Sequence, residues 1–280
     1  GNDFSKGDLI MRKVLLATTA LVAMSVTAAQ ADITISGAAS FEVLDVGAGN
    51  VFTSDGDINI KATSVTDSGL TLTAYQDSQI EDNAVADSYI NIAGDFGNLR
   101  MGNTDDALDL NDGVLGSTMD IDGSAIDTIS TEIGGNSVNI SYTAPSIGGF
   151  KPYIAVQADG AYTGVGFNYA AGPVTVMVQS VNKTASDDTV VGLSFTAGAI
   201  TVGAGAKEVD ASGTKTKTND VGVKYVAGDV TLIGTHRKSG NTKYNSLGAT
   251  YTIAPGLTAA IESGEQGTDN ATYAALTVAF

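Results

Sequence analysis

One histidine, His236, and no cysteine supply all the imidazole and thiol chemistry of this 280-residue chain. That excludes a thiol nucleophile, a zinc finger, an iron–sulfur centre and an ordinary Ser/His/Asp set. His236 also falls on the apolar phase of its segment, with Val230 and Leu232. Carboxylates are the abundant reactive group: 31 Asp and Glu stand against 14 Lys and Arg, a net charge of −17. They are dense between Thr104 and Asn136, where Asp105, Asp106, Asp109, Asp112, Asp120, Asp122, Asp127 and Glu132 occur with no Lys or Arg among them. Without a partnered base such a run does no acid–base catalysis. What it can do is concentrate cations, and the plain alternative is a solvated acidic loop. Asp120-Ile121-Asp122-Gly123 has the start of a calcium loop but lacks the remaining ligands and the closing Glu. It supports adventitious Ca²⁺ at most, and no cofactor is expected. Gly203-Ala204-Gly205-Ala206-Lys207 lacks the spacing and following helix of a phosphate loop. The net charge of −17 would repel nucleic acid and anionic lipid, since binding to either depends on basic residues.

The elements that must position these carboxylates are strands. Helical spacing is not sustained, while alternation with period two recurs along the chain. It begins in Ile33-Thr34-Ile35-Ser36 and returns in Ile58-Asn59-Ile60-Lys61, Leu70-Thr71-Leu72-Thr73, Val138-Asn139-Ile140-Ser141-Tyr142, Val221-Gly222-Val223-Lys224-Tyr225 and Leu257-Thr258-Ala259-Ala260-Ile261. Short Gly/Pro turns at 66–69, 94–97, 144–149, 171–173, 197–198, 227–229 and 254–256 mark one end of an up-and-down meander. More polar segments, such as 182–188, 210–220, 239–242 and 264–270, read as longer loops at the other end.

An aromatic repeat is tied to the short turns. Tyr142, Tyr169, Phe195, Tyr225, Tyr251 and Phe280 follow one another at intervals of 27, 26, 30, 26 and 29, on the apolar phase of their strands. A soluble sandwich has no reason to place one aromatic at the same end of every second strand. A membrane barrel does, because its outer aliphatic band is bounded by aromatic girdles. Sixteen strand cores can be counted, with fourteen as the alternative, and an even number returns both chain ends to one side. Such strands must close, because unpaired edge groups in lipid each cost several kcal/mol. Ser, Thr, Asn and Gly on the opposite phase imply a hydrated interior, which sixteen strands can enclose and eight cannot. The fold class expected is all-β, a 16-stranded antiparallel transmembrane β-barrel spanning 32–280.

Residues 11–31 read as a signal peptide: Arg12-Lys13, an apolar stretch from Val14 to Val26, and Ala29-Gln30-Ala31 as the cleavage site. The apolar stretch is too short to span a bilayer, which takes ~20 residues. Residues 1–10 read as a non-native or mis-called leader. Removing 1–31 takes away Lys6, Arg12, Lys13, Asp3 and Asp8, leaving 11 basic and 29 acidic residues and a charge of −18.

Several ordered segments carry a family resemblance: Ile33-Thr34-Ile35-Ser36-Gly37, YINIAGDFGNLRMG from Tyr89 to Gly102, VNISYTAPSIGGF from Val138 to Phe150, and the terminal Phe280 after Leu276 and Val278. In these the chain resembles the Gram-negative general porins of alphaproteobacteria. The resemblance implies a bacterial outer-membrane barrel, commonly trimeric, that passes small hydrophilic solutes passively, and it makes Phe280 an assembly signal for the barrel assembly machinery. Lipid and lipopolysaccharide would surround it. Many relatives carry an Arg after the segment matching Met101-Gly102, where this chain has Asn103.

The resemblance also implies that the third external loop, here 104–136, folds inward as a constriction. Its acidic side would be Asp105, Asp106, Asp109, Asp112, Asp120 and Asp122. By parity Lys61, Arg100, Lys151, Lys207, Lys224 and Arg237 point to the lumen with Glu42, Asp77 and Glu262. Lys61 and Arg100 are the candidates for a basic wall facing the loop. Cation preference is expected. A reading from a different class is a secreted acidic β-rich adhesin or calcium-binding surface protein; the GGxGxDxUx nonapeptides of a calcium β-roll do not occur.

Overall fold

A computed structural model describes residues 31–45, 47, 49–79, 85–105, 107–111 and 137–280. The leader and all of the signal segment but Ala31 lie outside them. The strands are β1 (Asp32–Asp45), β2 (Asn50–Val65), β3 (Thr71–Gln79), β4 (Val85–Gly94), β5 (Gly97–Asp105), β6 (Ser137–Thr143), β7 (Phe150–Val156) and β8 (Tyr162–Ala171). After these come β9 (Val174–Lys183), β10 (Asp187–Ala197), β11 (Ile200–Ala211), β12 (Thr214–Ala227), β13 (Val230–Ser239), β14 (Thr242–Ala254), β15 (Leu257–Gln266) and β16 (Asp269–Ala279). All pairings are antiparallel between sequence neighbours except that of β1 with β16, which closes the barrel. Among the described residues sixteen strands form the closed barrel, not fourteen.

Register assigns the faces. Ile33 opposes Ala62, Ile35 opposes Ile60, and Val221, Leu232 and Leu247 lie on the same phase of their strands, all exposed. A face of exposed Ile, Val and Leu running round the whole sheet is the reverse of a soluble protein's surface. It is what lipid contact requires. The six aromatics of the repeat lie on this outer phase near the tight turns. Tyr169, Phe195, Tyr225, Tyr251 and Phe280 are exposed, and the Tyr142 hydroxyl donates to Phe96 O at 2.6 Å. Among the described residues no helix is long and apolar enough to cross a membrane.

One expectation is corrected. The polar segments 210–220, 239–242 and 264–270 are the upper ends of strands joined by tight turns, not long loops. Their reversals use residues in the left-handed region: Ser212 and Gly213, Gly240 and Gly267. Polar alternation above the apolar band continues the ladder in water, with Glu208 opposite Lys217 and Asp210 opposite Lys215. Loss of apolar residues marks the edge of the membrane there, not the end of the strand.

Candidate functional site

The root of the loop after β5 turns into the barrel. β5 breaks register between Met101 and Thr104. Gly102 permits this, with φ of 139° and a position where a Cβ would stand 2.4 Å from Ser88 O. Beyond it, Ala107 and Leu108 are fully buried and Asp109–Asn111 forms a 3₁₀ turn. Leu108 sits against Gly164, where a Cβ would approach its Cδ1 to 2.7 Å. It belongs to one apolar cluster with Val138, Tyr153, Ala155, Tyr162, Met177, Val181 and Val190. Most of these project inward by register from β7, β8, β9 and β10.

Hydrogen bonds fix the same segment. Gln179 Nε2 donates to Leu108 O at 2.8 Å and to the Tyr153 hydroxyl at 3.1 Å. Asn168 Nδ2 donates to Asn111 O at 2.7 Å, and Tyr153 donates to Asn168 Oδ1 at 3.1 Å. Asn111 Nδ2 in turn donates to Ala107 O at 2.7 Å and Thr143 Oγ1 at 3.1 Å. A loop carbonyl held by a buried amide is anchored in a way that an outward, solvated loop is not.

The wall of β2 to β5 has another character. Lys61 and Arg100 lie on the lumen phase, Lys61 opposite Tyr75 and Arg100 opposite Asn91. Tyr75 and Tyr89 stack with centroids 4.8 Å apart, and the Arg100 guanidinium lies 4.4 Å from the Tyr89 ring centre. Such a stack fixes the cation against the wall. Arg100 also lines a cavity of about 220 Å³ with Asn98, Ser141, Thr143 and the loop residues Leu110 and Asn111, so it meets the loop root. Around this stack stand Asp57, Asp77 and Asp87, each close enough to interact electrostatically with Tyr75; Asp77 also interacts with both Asp57 and Asp87, and Asp105 at the loop's start acts on Asp77 and Asp87. Tyr75 hydrogen-bonds Asn59, which hydrogen-bonds Asp57.

Of the residues singled out in the sequence, Asp105 and Asp109 flank the buried loop root. Asp106, Asp112, Asp120 and Asp122 lie outside the described residues. Lys151, Lys207, Lys224, Arg237, Glu42, Asp77 and Glu262 all lie on the lumen phase. Arg237 lies 3.6 Å from the Tyr244 ring centre and stands opposite Asp220. Not singled out were Asp57, Asp87, Asp188 and Asp220 on the lumen phase, nor Lys183, which is 3.1 Å from Asp188. Asp57 and Asp87 were available from parity, because they share a phase with Lys61 and Tyr89. The anchor residues Leu108 and Gln179 gave no signal.

The family model for Gram-negative porins matches residues 17–278. The chain belongs to this family. It is therefore a channel of the bacterial outer membrane and not an enzyme. Solved structures agree in fold. A porin of Rhodopseudomonas blastica carrying five substitutions superposes with a TM-score of 0.71 at 18% identity, covering 89% of this chain and all of that one. A variant of the same porin with three substitutions gives 0.72 at 18%, with the same coverage. An OmpT loop-deletion variant, an outer membrane protein of Vibrio cholerae, gives 0.72 at 14%, covering 89% of this porin and 99% of its own chain. No curated protein matches significantly.

Proposed function

We propose that this porin is a passive, mildly cation-preferring diffusion channel for small hydrophilic solutes. Its constriction is formed by the acidic loop 104–136 against the Lys61 and Arg100 wall. The observation that carries this reading is the buried root of the loop: Leu108 packed on Gly164 and held by Gln179. The root so pinned carries Asp105 and Asp109 beside it, which supports an inward path for the loop. Cation preference follows from their sign together with Asp57, Asp77 and Asp87 on the wall, since carboxylates lining a low-dielectric channel raise the local cation concentration. The test is a reversal potential across a salt gradient with purified protein in planar bilayers. Replacing Asp105, Asp106 and Asp109 together by Asn should move it toward anions; an anion-selective wild type, or no movement, counts against the reading.

The same reading includes a homotrimer and an assembly signal at Phe280. The outer faces of β1 to β5 mix aliphatics with Gly37, Ala39, Ser54, Gly56, Ala62, Ala74, Gln76 and Ser88. Small residues there favour close packing by a neighbour over lipid contact. Bulky substitution at Ala39 should weaken crosslinked trimers in native membranes. Phe280 keeps two backbone bonds to Gly37, at 3.0 and 2.9 Å, which do not depend on its ring. Phe280→Ala should therefore close the same ladder in vitro while lowering the outer-membrane yield, read as the fraction of heat-modifiable protein. An unchanged yield removes Phe280 as a signal.

A further inference from the structure

We propose that the lumen is charged in two opposed tiers, acidic toward the loop side and basic toward the end that carries the chain termini, and that this order makes the channel rectify. Current should be larger when the loop side is positive. This rests on the closed barrel and its facing, not on the constriction.

Register sorts the lumen charges by depth. Toward the end where β1 begins and β16 finishes, the inward cations are Lys61, Arg100, Lys151 and Lys224, each within four residues of its strand's limit there. None of the four has a carboxylate within 4.0 Å among the described residues. At that depth Asp32, the first residue of β1, is the one inward carboxylate among the described residues; Asp67, Asp95 and Asp229 belong to the turns beyond the strands.

Five residues or more from that limit the sign inverts. Glu42, Asp55, Asp57, Asp77 and Asp87 face inward on β1 to β4 with no inward Lys or Arg among them. On β9 to β15 the inward charges of the same depth balance, Asp188, Asp220 and Glu262 against Lys183, Lys207 and Arg237. Lys183 lies 3.1 Å from Asp188, and Arg237 is the register partner of Asp220. The excess of carboxylate therefore falls on β1 to β4.

One spacing recurs between the tiers. Asp57 stands four residues to the loop side of Lys61 on β2, Asp220 four from Lys224 on β12, and Asp87 four from Asn91, the register partner of Arg100. Four residues of strand span about 13 Å, or about 10 Å along the axis at a tilt of about 40°. That matches the Debye length of about 10 Å at 0.1 M salt, so each tier keeps its own sign. An acidic tier enriches cations and a basic tier anions. With the loop side positive, each ion enters through the tier that concentrates it, and both accumulate where the tiers meet. The reverse field draws both away from that level and depletes it.

Current–voltage curves of single channels in planar bilayers test this. Asn241, exposed at the β13–β14 tip, is replaced by Cys in a chain that has none, and a bulky thiol reagent in one chamber then marks the loop side. At 0.1 M salt the currents at equal and opposite voltages should differ about twofold, and at 1 M, where the Debye length is ~3 Å, they should agree. Lys151→Gln with Lys224→Gln should bring the ratio at 0.1 M toward one. Asp57→Lys with Lys61→Asp keeps the net charge, inverts the order on β2 and should lower the ratio as well. Heat-modifiable mobility checks that each variant is a closed barrel. Symmetric wild-type currents at 0.1 M, a larger current with the loop side negative, asymmetry that persists at 1 M, or a ratio that neither variant moves would overturn the proposal. Reversal potentials read ion preference separately. A wild type that prefers cations yet conducts symmetrically loses the two tiers and keeps the channel.

Discussion

Along β7 to β9 the lumen side of the barrel carries Tyr153, Ala155, Met177, Gln179 and Val181, all buried, while along β2 to β5 it carries Asp57, Lys61, Tyr75, Asp77, Tyr89 and Arg100, all at least partly exposed. Both stretches follow the same alternation on the same architecture. The first uses its inward positions to hold a piece of its own chain, with apolar contacts and side-chain amides. The second leaves charge and aromatic faces to the water. The two walls are therefore unlike: one is a foundation for the loop root, and the other is charged, aromatic and partly exposed.

The largest disruption of that contrast should come from the foundation. Gly164→Leu fills the space that Leu108 occupies, and Leu108→Ala removes the anchor at a cost of about 2 to 5 kcal/mol. Either should release the loop root and raise single-channel conductance while leaving the barrel closed, checked by heat-modifiable mobility. If conductance stays at wild type, the buried root does not hold the constriction. Gln179→Leu should act in the same direction but less, about 1 to 3 kcal/mol, because it strips the Leu108 carbonyl and the Tyr153 hydroxyl of a donor while keeping the apolar packing.

Changes on the open wall should alter selectivity without altering size. Asp57→Asn, Asp77→Asn and Asp87→Asn combined should lower the cation-to-anion permeability ratio about twofold to fivefold at low salt, each charge acting with about 1 kcal/mol or less across water. At 1 M salt, where the Debye length is ~3 Å, the effect should nearly vanish. Lys61→Gln should give the smallest shift and the opposite sign. Should the foundation variants change selectivity more than conductance, the division between the two walls is wrong.

The outer surface was legible in the sequence because lipid imposes the same demand on every strand. Aliphatic alternation and one aromatic per hairpin appear wherever the chain crosses, so a count of sixteen strands, their facing and the cations of the lumen apart from Lys183 could be read by parity. The foundation was not legible. Leu108 is one aliphatic residue in an acidic run, and its partners Gly164 and Gln179 are 56 and 71 positions away. Nothing local marks a glycine as a socket. The upper strand ends were misjudged for a related reason: apolar periodicity stops where the membrane stops, whereas hydrogen bonding continues to the tip of each hairpin.

The seam between β1 and β16 sets an order of events. Each of the other pairings can form as soon as two consecutive strands exist, over a short reach of chain everywhere except between β5 and β6, where residues 106–136 intervene. The seam joins Gly37 to Phe280, and its loop-closure cost is met only after β16 has been made. Until then both terminal strands present open edges that can recruit other chains. Completion is thus a single late event, and a chain stopped short of β16 keeps nearly all its local pairings but has no inside.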